Sequence, residues 1–105
     1  LALQSAHADM QLAAFALAAG DADAALALTS RALPLAAEAE NAALLSSLLM
    51  VRAEALELVG RPSEARAVRL DSLGWARYGF GSDAEVRARL LNIAALSPVN
   101  RARPK

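Results

Sequence analysis

Two segments forty residues apart decide the fold, and they read GDADAA at residues 20–25 and GRPSEA at residues 60–65. Each segment lies between apolar, alanine-rich runs. In each, a glycine suited to the left-handed position after a helix is followed at once by residues that begin a new helix. Self-similarity at a spacing of about 20–50 residues is typical of stacked helical repeats. The sequence therefore predicts two helical hairpins that stack side by side.

The composition indicates an all-α protein with a single domain. Alanine is the commonest residue, and aromatic residues make up only 4% of the 105-residue chain, so helix is favoured over sheet. Lys and Arg total 11, as do Asp and Glu, which gives no reason to expect a nucleic-acid partner. The longest strongly apolar stretch, residues 42–51, is too short to cross a bilayer, so we expect no membrane span.

The turn signals and hydrophobic spacing predict five helices. Asp21 and Pro62 begin the second and fourth helices, after the two glycine turns. Ser82 and Glu85 form a capping box, which is a specific signal for the start of a fifth helix. The predicted domain covers residues 1–98, with one hairpin at 1–38, a second at 41–77, a capping helix at 83–96 and a disordered tail at 99–105.

The apolar residues predict which side of each helix is buried. The third helix is apolar nearly all round in its first half, so we place it in the middle of the bundle. Pro34 should kink the second helix or end it near Leu33. The residues expected to face the core are Leu3, Met10, Leu12, Phe15, Ala16 and Ala19 in the first helix, Ala25, Leu28, Ala32 and Leu35 in the second, Ala65, Val68, Leu73 and Ala76 in the fourth, and Val86, Leu90, Ile93 and Ala94 in the fifth.

The chain resembles the tetratricopeptide repeat family, in which two antiparallel helices are joined by a Gly-x-x-x-x-Ala turn. The matching residues are Ala13, Gly20, Ala25 and Ala32 in the first copy and Ala53, Gly60 and Ala65 in the second. The second copy has Ser72 where the family has its later alanine. The spacing of forty resembles the longer repeats of bacterial regulators in this superfamily. The resemblance implies a short right-handed α-solenoid.

The resemblance also implies a concave groove lined by the first helix of each pair. Carried over by position, the groove residues are His7, Met10, Ala14, Leu17, Ser47, Met50, Glu54 and Glu57. The lysine, arginine and asparagine residues with which members of the family clamp a terminal carboxylate are absent here, so that activity is not expected. An apolar strip with an acidic end suits an amphipathic helix or a basic peptide. The simpler interpretation is that Met10 and Met50 fill gaps in the core.

A second candidate site is the aromatic cluster at the end of the fourth helix. A small ligand could bind at Trp75, Arg77, Tyr78 and Arg87, and the domain would then act as a helical regulator or sensor. The simpler interpretation is that Trp75 closes the core between the fourth and fifth helices, with Tyr78 the best candidate for exposure. The domain could also be an accessory part of a larger bacterial protein.

Catalysis is not expected. His7 is the single histidine, cysteine is absent, and no glycine-rich phosphate loop follows a strand, so we predict no enzyme, no metal and no cofactor. The chain starts at Leu1, which suggests a trimmed piece and leaves the compartment open between cytoplasm and periplasm. Two repeats leave an apolar end on the first helix, so self-association there, as a homodimer, or a missing upstream helix is a further prediction.

Overall fold

The computed structural model describes residues 2–77 and Leu91, and this part of the chain is helical without strands. The four helices are α1 at Ala2–Ala18, α2 at Ala22–Glu38, α3 at Ala42–Leu58 and α4 at Pro62–Arg77. The all-α prediction is confirmed, and the predicted helix ends lie within a residue or two of these. Of the fifth helix predicted at residues 83–96, only Leu91 is described, in helical conformation with an exposed side chain.

The three turns between the helices share one geometry and recur every twenty residues. Gly20, Glu40 and Gly60 have positive φ angles of 83°, 53° and 82°. Each turn is closed by two backbone hydrogen bonds of the Schellman type, which satisfy carbonyls at the end of the helix. The donor and acceptor pairs are Gly20 N to Leu17 O and Asp21 N to Ala16 O, Glu40 N to Ala37 O and Asn41 N to Ala36 O, and Gly60 N to Glu57 O and Arg61 N to Leu56 O.

Side-chain caps start the next helix after two of these turns. The Asp21 carboxylate accepts a hydrogen bond from the Ala24 amide at 3.1 Å. The Asn41 side chain accepts one from the Leu44 amide at 3.0 Å. Each cap satisfies an amide that has no partner within its own helix. The cap at Asp21 is the one that the sequence predicted.

Each helix packs on its neighbour in sequence, and α1 also packs on α3. Helix α3 therefore contacts all three other helices, which confirms its predicted place in the middle of the bundle. One core cluster surrounds Trp75 and includes Leu33, Leu45 and Leu48. The other is built on small residues, Ala13, Ala25, Ala55 and Ala65, with Leu26 and Leu56. Small side chains let these helices approach closely.

The structure corrects the predicted inner side of α1. Leu12 and Phe15 are 52% and 72% exposed and Ala19 is exposed, whereas Ala6, Asp9 and Ala13 are buried. An alanine–leucine helix has no sharp apolar side, so its neighbours decide which side is covered. Leu73 of α4, also predicted to face the core, is 46% exposed.

Helix α2 continues through Pro34 to Glu38, where the first hairpin was predicted to end, so of the two outcomes expected at Pro34, a kink or an early end near Leu33, the early end does not occur. A proline inside a helix removes one backbone hydrogen bond and crowds the preceding turn. Leu33 before it and Ala36 and Ala37 after it are all buried. Packing on both sides of the proline holds the helix together, because tertiary contacts supply most of a helix's stability.

Candidate functional site

The open side of α3 carries the groove residues that the sequence predicted on that helix. Because α3 contacts three other helices, only a narrow strip of it reaches solvent. Ser47, Glu54 and Glu57 are exposed on this strip, and Met50 is half-buried among them. We call these four residues the α3 strip. Its centre is a thioether side chain with polar neighbours, which is a surface that can accommodate an apolar residue of a partner.

Helix α1 carries the other four predicted groove residues beside α3. His7 and Ala14 are exposed, whereas Met10 and Leu17 are half-buried. Met10 packs against the core cluster around Trp75, and Leu17 packs against the cluster built on alanines. These two side chains therefore serve the core and also border the surface. Both interpretations offered for Met10, packing and groove lining, fit its half-buried position.

The acidic end of the α3 strip is partly neutralised by α4. The Glu57 carboxylate accepts a hydrogen bond from Arg69 at 2.9 Å. Both side chains are well exposed, so the pair contributes little to stability. It does turn Glu57 toward α4 and balance its charge. Glu54 is consequently the carboxylate of the α3 strip best placed to meet a basic partner.

Of the second candidate site, Trp75 is buried in the core. Trp75 is only 5% exposed and belongs to the core cluster of α2 and α3 residues. Tyr78 and Arg87 lie outside the described residues, and Arg77 is the last residue of α4. The indole ring therefore presents little surface to a ligand. Trp75 packs against residues of α2 and α3, and the predicted closure of the core between the fourth and fifth helices lies outside the described residues.

A bidentate ion pair that sequence reasoning missed joins α1 to α2. The Arg31 Nε and Nη2 atoms each donate to the Asp9 carboxylate at 2.9 Å. The Asp9 side chain is 6% exposed and the Arg31 side chain is 63% exposed. Hydrogen bonding to Asp9, with the attraction of its charge, raises the pKa of Arg31 above its ordinary value. The pair links α1 to α2 at the edge of their interface.

A second polar network lies between α2 and α3, around the buried residue Arg52. One guanidinium nitrogen, Nη1, donates to the Leu26 carbonyl at 3.1 Å, to the Thr29 hydroxyl at 3.0 Å and to the Ser30 hydroxyl at 2.8 Å. Thr29 and Ser30 are themselves buried. In the sequence, Thr29 and Ser30 are hydroxyl residues within the alanine-rich helix α2, and they are the feature that could have predicted a polar partner for this helix. The network belongs to the core.

Ser72, which stands where the tetratricopeptide repeat has an alanine, forms hydrogen bonds with α3. Its hydroxyl donates to the Ser46 carbonyl at 2.9 Å, and the Ser46 hydroxyl donates to the Ser72 carbonyl at 3.1 Å. Ser72 is 1% exposed. Two reciprocal hydrogen bonds remove the cost of burying the hydroxyl. The departure at this position is therefore compatible with close packing of α3 on α4.

Neither a metal site nor a membrane helix is found in the described part of the chain. Residues 2–77 hold no group of three or more His, Cys, Asp or Glu side chains placed to bind a metal ion. None of the helices described there combines the length and apolar character needed to cross a bilayer. The chain matches no protein-family model, no curated protein and no solved structure at the significance required.

Proposed function

We propose that the chain is a protein-interaction module of the tetratricopeptide-like type, and that it binds a basic amphipathic helix along α1 and α3. The observation that carries the proposal is the exposure of the α3 strip. Helix α3 is enclosed on its other sides, yet Ser47, Glu54 and Glu57 are exposed and Met50 is half-buried among them. A partner helix lying there would place apolar residues against Met50 and a basic residue near Glu54.

The packing order supports the proposed solenoid. Consecutive helices pack as neighbours through three-residue turns, and α1 packs on α3, as the first helices of adjacent repeats do in a stacked array. We further propose that residues 83–96 form the fifth helix and cover α4. Aligned on the cap residue Asn41 and the predicted cap residue Ser82, the α3 positions Leu45, Leu49, Arg52 and Ala53 match Val86, Leu90, Ile93 and Ala94. All four α3 residues are buried.

The test is a calorimetric titration with two designed helical peptides of equal length and apolar content. One peptide carries lysines on its polar side and the other carries glutamates. We expect the lysine peptide to bind more tightly, because Glu54 lies beside the apolar centre. Substituting Met50→Glu or Glu54→Lys should weaken its binding about tenfold or more, since each removes one of the two features it recognises.

The matched control is Ala27→Glu, which introduces a charge at an exposed position of α2 away from the α3 strip. This variant should bind the lysine peptide as the unchanged chain does. Equal binding of both peptides, or equal loss in Ala27→Glu, would contradict the proposal. Under the alternative of a ligand near Trp75, substituting Tyr78 and Arg87 would abolish ligand binding, whereas Met50→Glu would not.

A further inference from the structure

Helix α1 exposes an apolar strip on a side turned about 120° around the helix from its buried residues. We call Ala8, Leu12, Phe15 and Ala19 the α1 outer strip. All four are exposed, Leu12 by 52% and Phe15 by 72%. At about 100° per residue, these positions fall within about 60° of one another around the helix. A contiguous exposed apolar patch is a candidate surface for contact with another molecule.

Each residue of α1 corresponds to the residue forty positions later, in α3. The α3 residues that correspond to the α1 outer strip show which contacts this side of a helix makes when it is covered. Leu12 and Phe15 correspond to Arg52 and Ala55 of α3. Arg52 bonds to α2, and Ala55 lies in a core cluster with α2 alanines. The α1 outer strip is thus the side that in α3 packs on the preceding helix. In the described residues, no helix covers it in α1.

The α1 outer strip carries no charge that would oppose a second copy of itself. Asp9 is the one charged residue of α1, and it is buried and bonded to Arg31. The exposed side of α4 differs in this respect. There, Leu70 and Leu73 are accompanied by the exposed Arg66, so pairing of like with like would bring guanidinium groups together.

The order of residues along the α1 outer strip fits a two-fold axis. It reads small, large, large, small, with spacings of four, three and four residues, so it is the same in both chain directions. In a two-fold interface, if one residue contacts a second, the second contacts the first in return. An antiparallel pair of strips centred between Leu12 and Phe15 would place Leu12 against the other copy's Phe15 and Ala8 against its Ala19.

We propose that the α1 outer strip is the interface of a homodimer, in which two copies pack antiparallel through α1. A stable interface buries about 800 Å² on each partner, which is more than one short strip provides. The dimer is therefore weak, with dissociation in the micromolar to millimolar range. If the proposed function also holds, the dimer presents two peptide-binding surfaces, because the groove residues of α1 lie away from the strip.

The first test is sedimentation equilibrium of the chain from micromolar into millimolar concentration. The apparent mass of the unchanged chain should rise toward that of a dimer. Phe15→Glu should raise the dissociation constant about tenfold or more, because it buries a charge in the interface. Leu58→Glu is the matched control, since Leu58 is 60% exposed on α3 and lies outside the strip. Helix content by circular dichroism checks that each variant is folded.

Three results would overturn the proposal. The unchanged chain could stay a monomer into the millimolar range. Phe15→Glu could associate as the unchanged chain does. Leu70→Glu could abolish association, which would indicate that α1 of one copy packs on α4 of the next. In each case the two-fold interface through α1 would be wrong, whatever the outcome of the peptide titrations.

A crosslinking experiment tests the antiparallel geometry. The sequence has no cysteine, so introduced thiols meet no background. Leu12→Cys mixed with Phe15→Cys should give more disulfide-linked dimer than either variant alone. The mixture of Leu58→Cys with Phe15→Cys is the control and should give little. Stronger crosslinking of each variant alone would show a parallel pair and overturn the proposed arrangement.

Discussion

Glu40 adopts the left-handed backbone conformation that glycine adopts in the two equivalent turns. Its φ angle is 53°, beside 83° at Gly20 and 82° at Gly60. A residue with a Cβ atom is strained in this region by about 1–2 kcal/mol, whereas glycine is not. The turn at Glu40 is closed by the same backbone hydrogen bonds as the other two. Those bonds and the packing of the flanking helices therefore hold Glu40 in its strained conformation.

We expect Glu40→Gly to raise the free energy of unfolding by about 0.5–1 kcal/mol, because it relieves this strain. Gly60→Ala is the reverse control and should lower it by about 1 kcal/mol. An added Cβ at Gly60 meets nothing within 4 Å, so the backbone alone sets that cost. Urea unfolding followed by the fluorescence of Trp75, the single tryptophan, measures both. A loss of stability in Glu40→Gly would contradict this account.

In the ion pair between Asp9 and Arg31, the carboxylate is buried and the guanidinium is exposed. Removing one partner or the other should therefore lower the stability of the fold by different amounts. Arg31→Ala leaves the buried Asp9 carboxylate without its partner, whereas Asp9→Ala leaves an arginine that is already 63% exposed. Thermal unfolding should therefore show the larger loss in Arg31→Ala. The double variant should resemble Asp9→Ala, since no buried carboxylate then remains at this position. The opposite order of the single variants would show that the carboxylate is not the costly group.

The raised pKa of Arg31 determines how the contribution of Arg31 to stability depends on pH. A group whose pKa is higher in the folded state stabilises the fold below its unfolded pKa and loses that effect as the pH rises through the folded value. For Arg31 both values are at or above that of an ordinary arginine. Titration of Arg31 should therefore leave stability unchanged from neutral to mildly alkaline pH. Melting temperatures of the unchanged chain and Arg31→Ala should differ by a constant amount over that range.

At the scale of elements, Pro34 shows how tertiary packing overrides a local signal. Pro34 lies inside α2 and lacks an amide, whereas Pro62 is the first residue of α4, where the missing amide costs nothing. We expect Pro34→Ala to raise the free energy of unfolding by about 1–3 kcal/mol, because the helix is already formed around it. Pro62→Ala, the matched control, should change stability by less than about 0.5 kcal/mol. Destabilisation by Pro34→Ala would mean that the ring itself contributes essential packing.

The ends of the helices were predictable from sequence because turns depend on local chemistry. Gly20, Asp21, Gly60 and Pro62 each act within a few residues of their own position. The buried side of α1 was not predictable in this way. Leucine and alanine surround that helix, and the choice of Ala6 and Ala13 as contacts depends on the shape of α2 and α3. Leu12 and Phe15 were consequently placed on the wrong side.

At the scale of the whole molecule, the sequence predicted an all-α bundle with α3 at its centre but missed the polar contacts within it. Arg52 and Asp9 are charged residues, which are expected on the surface unless a partner is known. Their partners lie more than twenty residues away, so no local pattern links them. For the candidate site, the resemblance to the tetratricopeptide repeat, carried over by position, predicted the residues of the α3 strip, three of which are exposed. It did not predict that Glu57 bonds to Arg69 of α4.

The most direct measurement of the central proposal uses the two methionines of the chain, Met10 and Met50, which border the proposed binding surface on α1 and α3. With ¹³C-methyl methionine incorporated, a methyl spectrum is recorded during titration with the lysine-rich helical peptide. We predict that both methyl signals shift and saturate at the same peptide concentration, and that Glu54→Lys moves this saturation to a peptide concentration about tenfold or more higher. Binding detected by calorimetry while both methyl signals stay unchanged would place the peptide elsewhere and contradict the proposal.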